Sequence, residues 1–215
     1  MSNEMIVLGQ AIKSYITPQN ILDEINGIYD YRKENELPPT NKFLAGKIKS
    51  EHTLYHNEIN DKSKNFNFLS TKTLDWFQDK FQDYLRTVKA TSVTIRLSSI
   101  WVNQMYANEY NPVHTHFSSS SKLGLSSVMI LKLPSNYGEE YSRPDNPLNG
   151  QLQFMGNGGG QFAFTDYRPE PKVGDFFVFP YDMRHCVYPF NTTKDHRRTL
   201  AANVDTFYNT PQLKT

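Results

Sequence analysis

The chain has 215 residues, with 23 lysine and arginine side chains against 22 aspartate and glutamate side chains and a formal net charge of +1. This length suits one well-filled domain. The balanced charge gives no sequence-wide attraction for nucleic acid or an anionic membrane, and no apolar run reaches the roughly 20 residues of a membrane span. We therefore expect neither as a partner.

The first third combines short periodic segments with a long polar stretch. Apolar and polar residues alternate over 5–12, which predicts a strand. Residues 18–36 predict a short helix with isoleucines at helical spacing. Residues 35–70 are polar, contain two consecutive prolines and show no sustained period. They predict irregular surface structure.

The clearest predicted helix covers residues 70–90. Thr71 or Thr73 can cap its amino end. An apolar stripe at helical spacing predicts that the helix covers a sheet. The stripe consists of Leu74, Phe77, Phe81, Tyr84 and Leu85.

From Thr91 onward the sequence consists of short β-rich segments separated by glycine, proline and asparagine turns. These segments lie at residues 92–106, 123–133, 150–156, 160–167, 173–182, 185–190 and 197–208. Seven or eight short strands without intervening helices predict a mainly β fold with flanking helices, of the sandwich or jelly-roll type. We expect one compact domain overall, in which residues 1–90 pack on a β core formed by 91–215. The polar segment 138–150 is a candidate loop at the mouth of that core.

Three of the six histidines lie in two strand-like contexts, NPVHTHF and FFVFPYDMRHCVYPF. Side chains two residues apart on a strand leave the same face, so His114 and His116 can bind one ion from a single segment. His185, from a distant strand, completes a facial set of three nitrogen ligands and leaves other coordination positions open. These three residues are the predicted metal ligands and catalytic centre.

The single cysteine, Cys186, excludes an intramolecular disulfide and a cysteine-rich zinc module. The amino-terminal sequence MSNEMIVLGQ lacks the basic start and long apolar core of a secretion signal. Both observations favour a cytoplasmic protein.

The order of these pieces resembles the iron(II) and 2-oxoglutarate-dependent oxygenases, in particular a bacterial and phage branch related to prolyl hydroxylases. The resemblance covers roughly Ser98 to Phe207. It rests on Trp101 and Asn103 in one strand, then NPVHTHF, GQLQF and GDFFVFP, then a histidine five residues after that proline and an arginine at the start of the last strand. It implies a double-stranded β-helix, or jelly roll, and location in the host cytoplasm if a phage encodes the chain.

The resemblance also implies a cosubstrate site. An arginine that begins the last strand, two residues ahead of a hydroxyl residue, binds the far carboxylate of 2-oxoglutarate, which corresponds here to Arg197 and Thr199. Arg198 is the alternative if the alignment slips by one residue. A planar, permanently charged guanidinium suits a buried carboxylate. Asn103 and Asn203 are candidate contacts for the oxo-acid end or for substrate.

The implied cofactor is Fe(II), with 2-oxoglutarate as cosubstrate and O₂ as oxidant. The implied reaction is hydroxylation of a peptidyl or amino-acid-like substrate, with decarboxylation of 2-oxoglutarate to succinate. The substrate itself, a protein or an amino acid, is not indicated by any residue, and neither is an oligomeric state.

Position 116 departs from the family pattern, which usually has a carboxylate there. Three interpretations follow: a three-histidine iron site, a site in which Asp182 or Glu109 replaces one histidine, or a fold that has lost its cofactor. Two other functions also compete. One is a cupin-type three-histidine dioxygenase without 2-oxoglutarate, although FSSSSKLG, rather than the usual glutamate, follows the histidine pair. The other is a non-catalytic jelly-roll structural or binding protein.

Overall fold

The computed structural model describes residues 9–35, 46–57, 67–118, 120–139, 145, 147–156, 158, 161, 165–192 and 194–208. The helices are α1 (Gln19–Glu34) and α2 (Thr71–Thr87). The strands are β1 (Lys13–Ile16), β2 (Ser50–His56), β3 (Val93–Met105), β4 (Asn111–His114), β5 (Gly124–Lys132), β6 (Leu152–Met155), β7 (Asp166–Tyr167), β8 (Asp175–Pro180), β9 (Arg184–Val187) and β10 (Arg197–Tyr208). Within this part of the chain, neither helix is long and apolar enough to cross a membrane.

Two antiparallel sheets form the body of the molecule. The larger has six strands in the order β1-β8-β5-β10-β3-β2, and the smaller has four in the order β4-β9-β6-β7. The predicted class, mainly β with flanking helices and a jelly-roll core, is confirmed. Each of the seven predicted β-rich segments overlaps an observed strand.

The six-stranded sheet has a different hydrophobic core on each face. One core contains the buried faces of α1 and α2, with Ile25, Phe77 and Phe81 fully buried. The other contains side chains from both sheets, including Phe154 of β6 and Phe179 of β8. Because side chains alternate along a strand, β10 sends Leu200, Ala202 and Val204 toward the helices and its odd-numbered residues toward the smaller sheet.

The helix α2 forms as its apolar period predicts, but its amino-terminal cap differs. Ser70, rather than Thr71 or Thr73, is the capping residue, and its hydroxyl accepts a hydrogen bond from the backbone N–H of Thr73. Thr73 is instead fully buried, and its hydroxyl donates to the Glu24 carboxylate of α1 at 2.7 Å. The two helices are therefore joined at this end of α2.

The prediction of irregular structure over residues 35–70 is wrong for β2, which pairs with β3 along the edge of the larger sheet. The observed first strand begins at Lys13. Of the strand predicted over 5–12, residues 5–8 lie outside the described residues, and the prediction is wrong for residues 9–12, which form no strand. Residues 140–144 and 146 of segment 138–150 also lie outside the described part of the chain. The boundary near residue 90 stays a prediction. Both strands before it hydrogen-bond to strands that follow it, β1 to β8 and β2 to β3.

Candidate active site

Strand pairing brings the three histidines together. β4 pairs with β9 so that His114 lies directly opposite His185, and opposed residues of an antiparallel pair project from the same face. β4 ends at His114, so His116 follows the strand rather than lying in it. The backbone N–H of His116 donates to the Tyr181 carbonyl at 2.9 Å, which fixes its position beside β8.

The distances within this cluster suit a single metal ion. The Nε2 atoms of His116 and His185 are 3.2 Å apart, and the ligand atoms of all three histidines lie within 4.8 Å of one another. Imidazole nitrogens bind transition metals at about 2.1 Å, so two ligands at right angles lie about 3 Å apart. Across the described ranges, no other group of three histidine, cysteine, aspartate or glutamate side chains comes this close.

The outer ring nitrogens have acceptors that leave the inner nitrogens free for a metal. Nδ1 of His114 lies 2.8 Å from the Pro112 carbonyl, and Nδ1 of His185 lies 3.0 Å from the Met183 carbonyl. A carbonyl only accepts, so in both rings Nδ1 carries the hydrogen and Nε2 keeps its lone pair. Hydrogen bonds of this kind orient histidine ligands in metal sites.

His116 has a side-chain partner in place of a carbonyl. Nδ2 of Asn203 lies 3.5 Å from Nδ1 of His116, while the buried Oδ1 of Asn203 has no hydrogen-bond partner in the part of the chain that the structure describes. Amide oxygen and nitrogen are assigned from their surroundings, and a half-turn of this amide would let Oδ1 accept a hydrogen from Nδ1. His116 would then present Nε2 in the same way as the other two histidines.

The electrostatics of the cluster favour neutral imidazoles. Burial, with a smaller contribution from the neighbouring His114, lowers the pKa of His185 to about 3. Burial is also the main cause of the lowered pKa values of His114 and His116. A neutral ring is the form that binds a metal, so the protein keeps its ligands ready at neutral pH.

The two carboxylates considered as replacements for a histidine have other partners. Asp182 accepts a hydrogen bond from the Gln10 side chain at 2.8 Å, and Glu109 accepts one from the backbone N–H of Tyr106 at 2.9 Å. Neither belongs to the histidine cluster. This arrangement favours the three-histidine interpretation.

The two adjacent arginines of β10 lie in different environments. Arg198 projects toward α1, where it donates to Gln104, Asn26 and Asp30 and packs 4.1 Å above the Tyr29 ring. Arg197 projects to the opposite face and is 2% exposed, and its Nε and Nη2 have no hydrogen-bond partner among the described residues. A buried guanidinium with unpaired N–H groups suits an anionic ligand.

The remaining predicted residues share the face of Arg197. Thr199 of β10 lies directly opposite Asn103 of β3, and both follow the alternation that points toward the smaller sheet. With its amide oriented to satisfy both ends, Asn103 accepts from Trp101 Nε1 at 3.2 Å and donates to Glu51 at 3.1 Å. The centroids of the Trp101 and His116 rings are 6.2 Å apart. The contacts that run from Glu51 through Asn103 to Trp101 therefore extend to the histidine cluster.

Two residues of this region were not predicted from the sequence. Glu51 of β2 is 7% exposed, and burial raises its pKa to about 8. Tyr137 follows β5 in a loop, and its hydroxyl is buried near Arg197. Glu51 lies in a segment whose sequence shows no hydrophobic period. Tyr137 lies in a polar loop, where nothing in the sequence marks a tyrosine as a site residue. Only the folded chain brings them to the site.

The comparisons with known proteins agree with this geometry. A family model described as "Putative 2OG-Fe(II) oxygenase" matches residues 99–203. That span includes the three histidines and all four residues predicted to contact cosubstrate or substrate. No curated protein sequence matches the chain.

Solved structures share the fold at low sequence identity. A prolyl-4-hydroxylase from Pseudomonas putida has a TM-score of 0.57 and 14% identity, with 92% of each chain covered. A Trichoplax adhaerens prolyl hydroxylase, in complex with a peptide of the hypoxia inducible factor oxygen degradation domain, has a TM-score of 0.56 and 10% identity over 92% of this chain and 83% of that one. The alpha-ketoglutarate-dependent epimerase SnoN of nogalamycin biosynthesis has a TM-score of 0.57 and 13% identity, over 95% and 81%. The similarity therefore extends beyond the matched segment to most of the chain.

Proposed function

We propose, because this chain belongs to the iron(II) and 2-oxoglutarate-dependent oxygenases, that it hydroxylates a carbon of a peptidyl or amino-acid-like substrate. As a 2-oxoglutarate-dependent non-haem iron dioxygenase it uses Fe(II), 2-oxoglutarate and O₂. The observation that carries the assignment of roles is the spatial order of the inner face. Three histidines lie beside Asn203, in the middle of β10, and the buried guanidinium of Arg197, with two nitrogens that have no partner among the described residues, lies where the strand begins.

The proposed roles follow from the chemistry of each side chain. His114, His116 and His185 would hold the iron through Nε2, and hydrogen bonds from Nδ1 to backbone carbonyls would keep the rings of His114 and His185 from turning. When bound, iron activates O₂ while the cosubstrate supplies electrons through its decarboxylation to succinate. Arg197 would bind the far carboxylate of 2-oxoglutarate, assisted by Thr199, and the aromatic and aliphatic surroundings would exclude water.

The proposal that the substrate is peptidyl has separate support. Prolyl hydroxylases are among the structural neighbours, one of them bound to a peptide. In this chain, Phe117 directly follows a proposed metal ligand and is 74% exposed, and Val113 beside the same ligand pair is 52% exposed. An apolar rim beside an oxidation site suits contact with a peptide backbone and its side chains.

The central experiment measures formation of the iron and cosubstrate complex without oxygen. Anaerobic Fe(II) and 2-oxoglutarate should give the weak visible charge-transfer band of a chelated 2-oxo acid. The His185→Ala variant should lose the band and all substrate-dependent 2-oxoglutarate turnover. His56→Ala, a histidine outside the cluster, controls for loss of an imidazole. Retained turnover in the His185 variant would rule out the assignment.

The substrate class is tested by turnover. Proline-containing peptides should stimulate succinate formation more than the free amino acids do, with a mass increase of one oxygen on the peptide. Stimulation by free amino acids or by non-peptidic natural products alone would contradict a peptidyl substrate. It would leave the assignment of an iron and 2-oxoglutarate enzyme intact. Neither the cupin nor the non-catalytic alternative accounts for the family match.

A further inference from the structure

The inner nitrogens of His116 and His185 lie within hydrogen-bond distance, with their Nε2 atoms 3.2 Å apart. Nδ1 of His185 donates its hydrogen to the Met183 carbonyl at 3.0 Å, so Nε2 of this ring has only a lone pair. A hydrogen on Nε2 of His116 would therefore point at an acceptor. A hydrogen on Nδ1 of His116 would instead leave two lone pairs facing each other, which is favourable only with a cation between them. The contact thus distinguishes the two forms of the His116 ring.

Asn203 lies on the other side of His116 and can match either form of that ring. Its side-chain nitrogen is 3.5 Å from Nδ1 of His116. In this orientation the amide donates, which requires the form of His116 with its hydrogen on Nε2. After a half-turn of the amide, its oxygen takes the place of the nitrogen and accepts a hydrogen from Nδ1. The two orientations have nearly the same shape, so neither needs extra space.

Ser126 lies directly opposite Asn203 in the pairing of β5 with β10. Its neighbour Leu125 packs in the core that contains the helices, so Ser126 projects from the same face as Asn203. The Cβ atoms of such a pair are about 5 Å apart, a gap that a hydroxyl and an amide can bridge. Ser126 Oγ and Asn203 Oδ1 are both buried, and neither has a hydrogen-bond partner among the residues that the structure describes. A serine hydroxyl rotates and can donate or accept, so it suits both orientations of the amide.

Two chains of hydrogen bonds therefore fit the same side-chain positions. In the first, the Ser126 hydroxyl donates to the Asn203 oxygen, and the Asn203 nitrogen donates to Nδ1 of His116. Nε2 of His116 then donates to Nε2 of His185. In the second, Nδ1 of His116 donates to the Asn203 oxygen, and the Asn203 nitrogen donates to Ser126 Oγ. Only the second chain leaves the lone pair on Nε2 of His116 for a metal.

We propose that Ser126, Asn203 and His116 form a hydrogen-bond switch whose direction reverses when a metal binds. This inference rests on the proposed metal site. The first chain gives each of these buried groups a partner without a metal, and the second gives each a partner with one. The hydrogen of the His116 ring moves from Nε2 to Nδ1 by exchange with water, so the ring stays neutral in both. A carboxylate at position 116 would need no such switch, because an ionised carboxylate has no hydrogen to move.

NMR of the protein with isotope-labelled histidine nitrogens shows which ring nitrogen carries the hydrogen. At about pH 8, above the ordinary histidine pKa of about 6.5, we expect it on Nε2 of His116 in the metal-free protein. After addition of Zn(II), a diamagnetic substitute for Fe(II), it should be on Nδ1. His114 and His185 should carry it on Nδ1 in both samples and serve as internal controls. A hydrogen on Nδ1 of His116 in the metal-free protein, or on Nε2 after zinc binds, would overturn the switch.

Asn203→Asp should hold the switch in one direction. A carboxylate only accepts, so Nδ1 of His116 should carry a hydrogen with and without Zn(II). Movement of the hydrogen between the two nitrogens in this variant would contradict the role of the amide. The wild type supplies the comparison at the same pH.

Ser126→Ala removes a hydroxyl that takes part in both chains. It should therefore lower the melting temperature of the metal-free and the zinc-loaded protein alike and change Zn(II) affinity by no more than about threefold, because the two losses cancel. Ser127→Ala is the matched control, since that hydroxyl donates to the Ala202 carbonyl at 3.0 Å on the opposite face. It should leave the hydrogen positions of His116 unchanged. A Ser126 variant that destabilises only one of the two forms would overturn the inference. A wild type that binds no metal would instead contradict the proposed function, while the hydrogen position in the metal-free protein still tests the switch.

Discussion

We propose that Asn203 orients His116, the proposed ligand at a position where related enzymes usually have a carboxylate. The other two proposed ligands are oriented by backbone carbonyls, which every chain supplies. His116 instead faces the amide of Asn203, which can either donate or accept and whose oxygen has no partner within the described ranges. Oriented as an acceptor, this amide would favour the ring tautomer with a free Nε2.

We expect Asn203→Leu to weaken Fe(II) binding about ten- to hundredfold, because loss of an outer partner of this kind costs that much in metal affinity. Asn203→Asp keeps an acceptor and should retain much more of the affinity. Competition with a chromophoric chelator measures both dissociation constants. Equal affinities for iron in the wild type and the leucine variant would show that His116 does not need this partner.

At the scale of elements, β10 has two functions, one on each face. Arg198 ties the strand to α1 through hydrogen bonds to Asn26 and Asp30 and through the Tyr29 ring. Arg197, its neighbour, carries its charge to the inner face, where its Nε and Nη2 have no hydrogen-bond partner from the described residues. Adjacent positions of one strand should therefore respond to substitution in opposite ways.

We expect Arg198→Met to lower the free energy of unfolding by about 2–4 kcal/mol, because several charge-assisted hydrogen bonds are lost together. Arg197→Met should leave the metal-free protein as stable as the wild type or more stable, because an uncompensated buried charge is removed. The same variant should weaken 2-oxoglutarate binding at least a hundredfold. Urea denaturation and the charge-transfer titration measure the two properties. Destabilisation of the metal-free protein by Arg197→Met would contradict this division.

The edge strand β2 contributes a pH dependence through Glu51. Burial raises the pKa of this carboxyl from 4.5 to about 8, so between these values the folded protein holds a proton that the unfolded chain releases. The free energy of unfolding should therefore fall as pH rises from about 4.5 to 8. Each pKa unit corresponds to about 1.4 kcal/mol, which sets an upper limit of about 5 kcal/mol.

Glu51→Gln should flatten the stability profile across that window, with its largest gain over the wild type near pH 8. Glu170→Gln, at an exposed glutamate, controls for the loss of one negative charge. Denaturation at several pH values between 4 and 8.5 gives the profiles. Parallel profiles for Glu51→Gln and the wild type would show that this carboxyl does not titrate as its burial requires.

At the scale of the whole molecule, the six-stranded sheet separates a core that supports the fold from a core that contains the site. The helices pack on one face, and the proposed ligands lie on the other. Ligand binding should therefore stabilise the core that contains the site more than the core that contains the helices. A ligand at a hundred times its dissociation constant adds about 2.7 kcal/mol to the folded state.

Hydrogen exchange under anaerobic conditions can resolve this difference. Mn(II) with 2-oxoglutarate should slow exchange most at the backbone amides of β4 and β9, which carry two of the proposed ligands. Local openings of α1 should be affected little, because that helix packs against the opposite face. Uniform protection across both halves would indicate that the two cores open only together.

The sequence was most informative where a long period or an ordered motif was present. Apolar residues recur at helical spacing in α2 and at strand spacing in β10. The spacing of His114 and His116 and the later His185 indicated a single site from the sequence alone. β2 was missed because Glu51 and His52 are buried polar residues, so its burial does not follow hydrophobicity. Tyr137 could not be predicted because its partners, Gly150 and Asn191, are brought to it by tertiary folding alone.

The pairing of β4 with β9 makes the site sensitive to length as well as to residue type. From Asn111 to His114 the chain advances three positions, whereas from Val187 to His185 the partner advances two, so β4 contains one extra residue. Deleting Val113, which is half exposed, would leave two steps on each strand and keep His114 opposite His185. Inserting a further residue there would retain every proposed ligand and yet turn His114 toward the wrong face. A related chain with all three histidines but one residue more in this strand should therefore bind no iron.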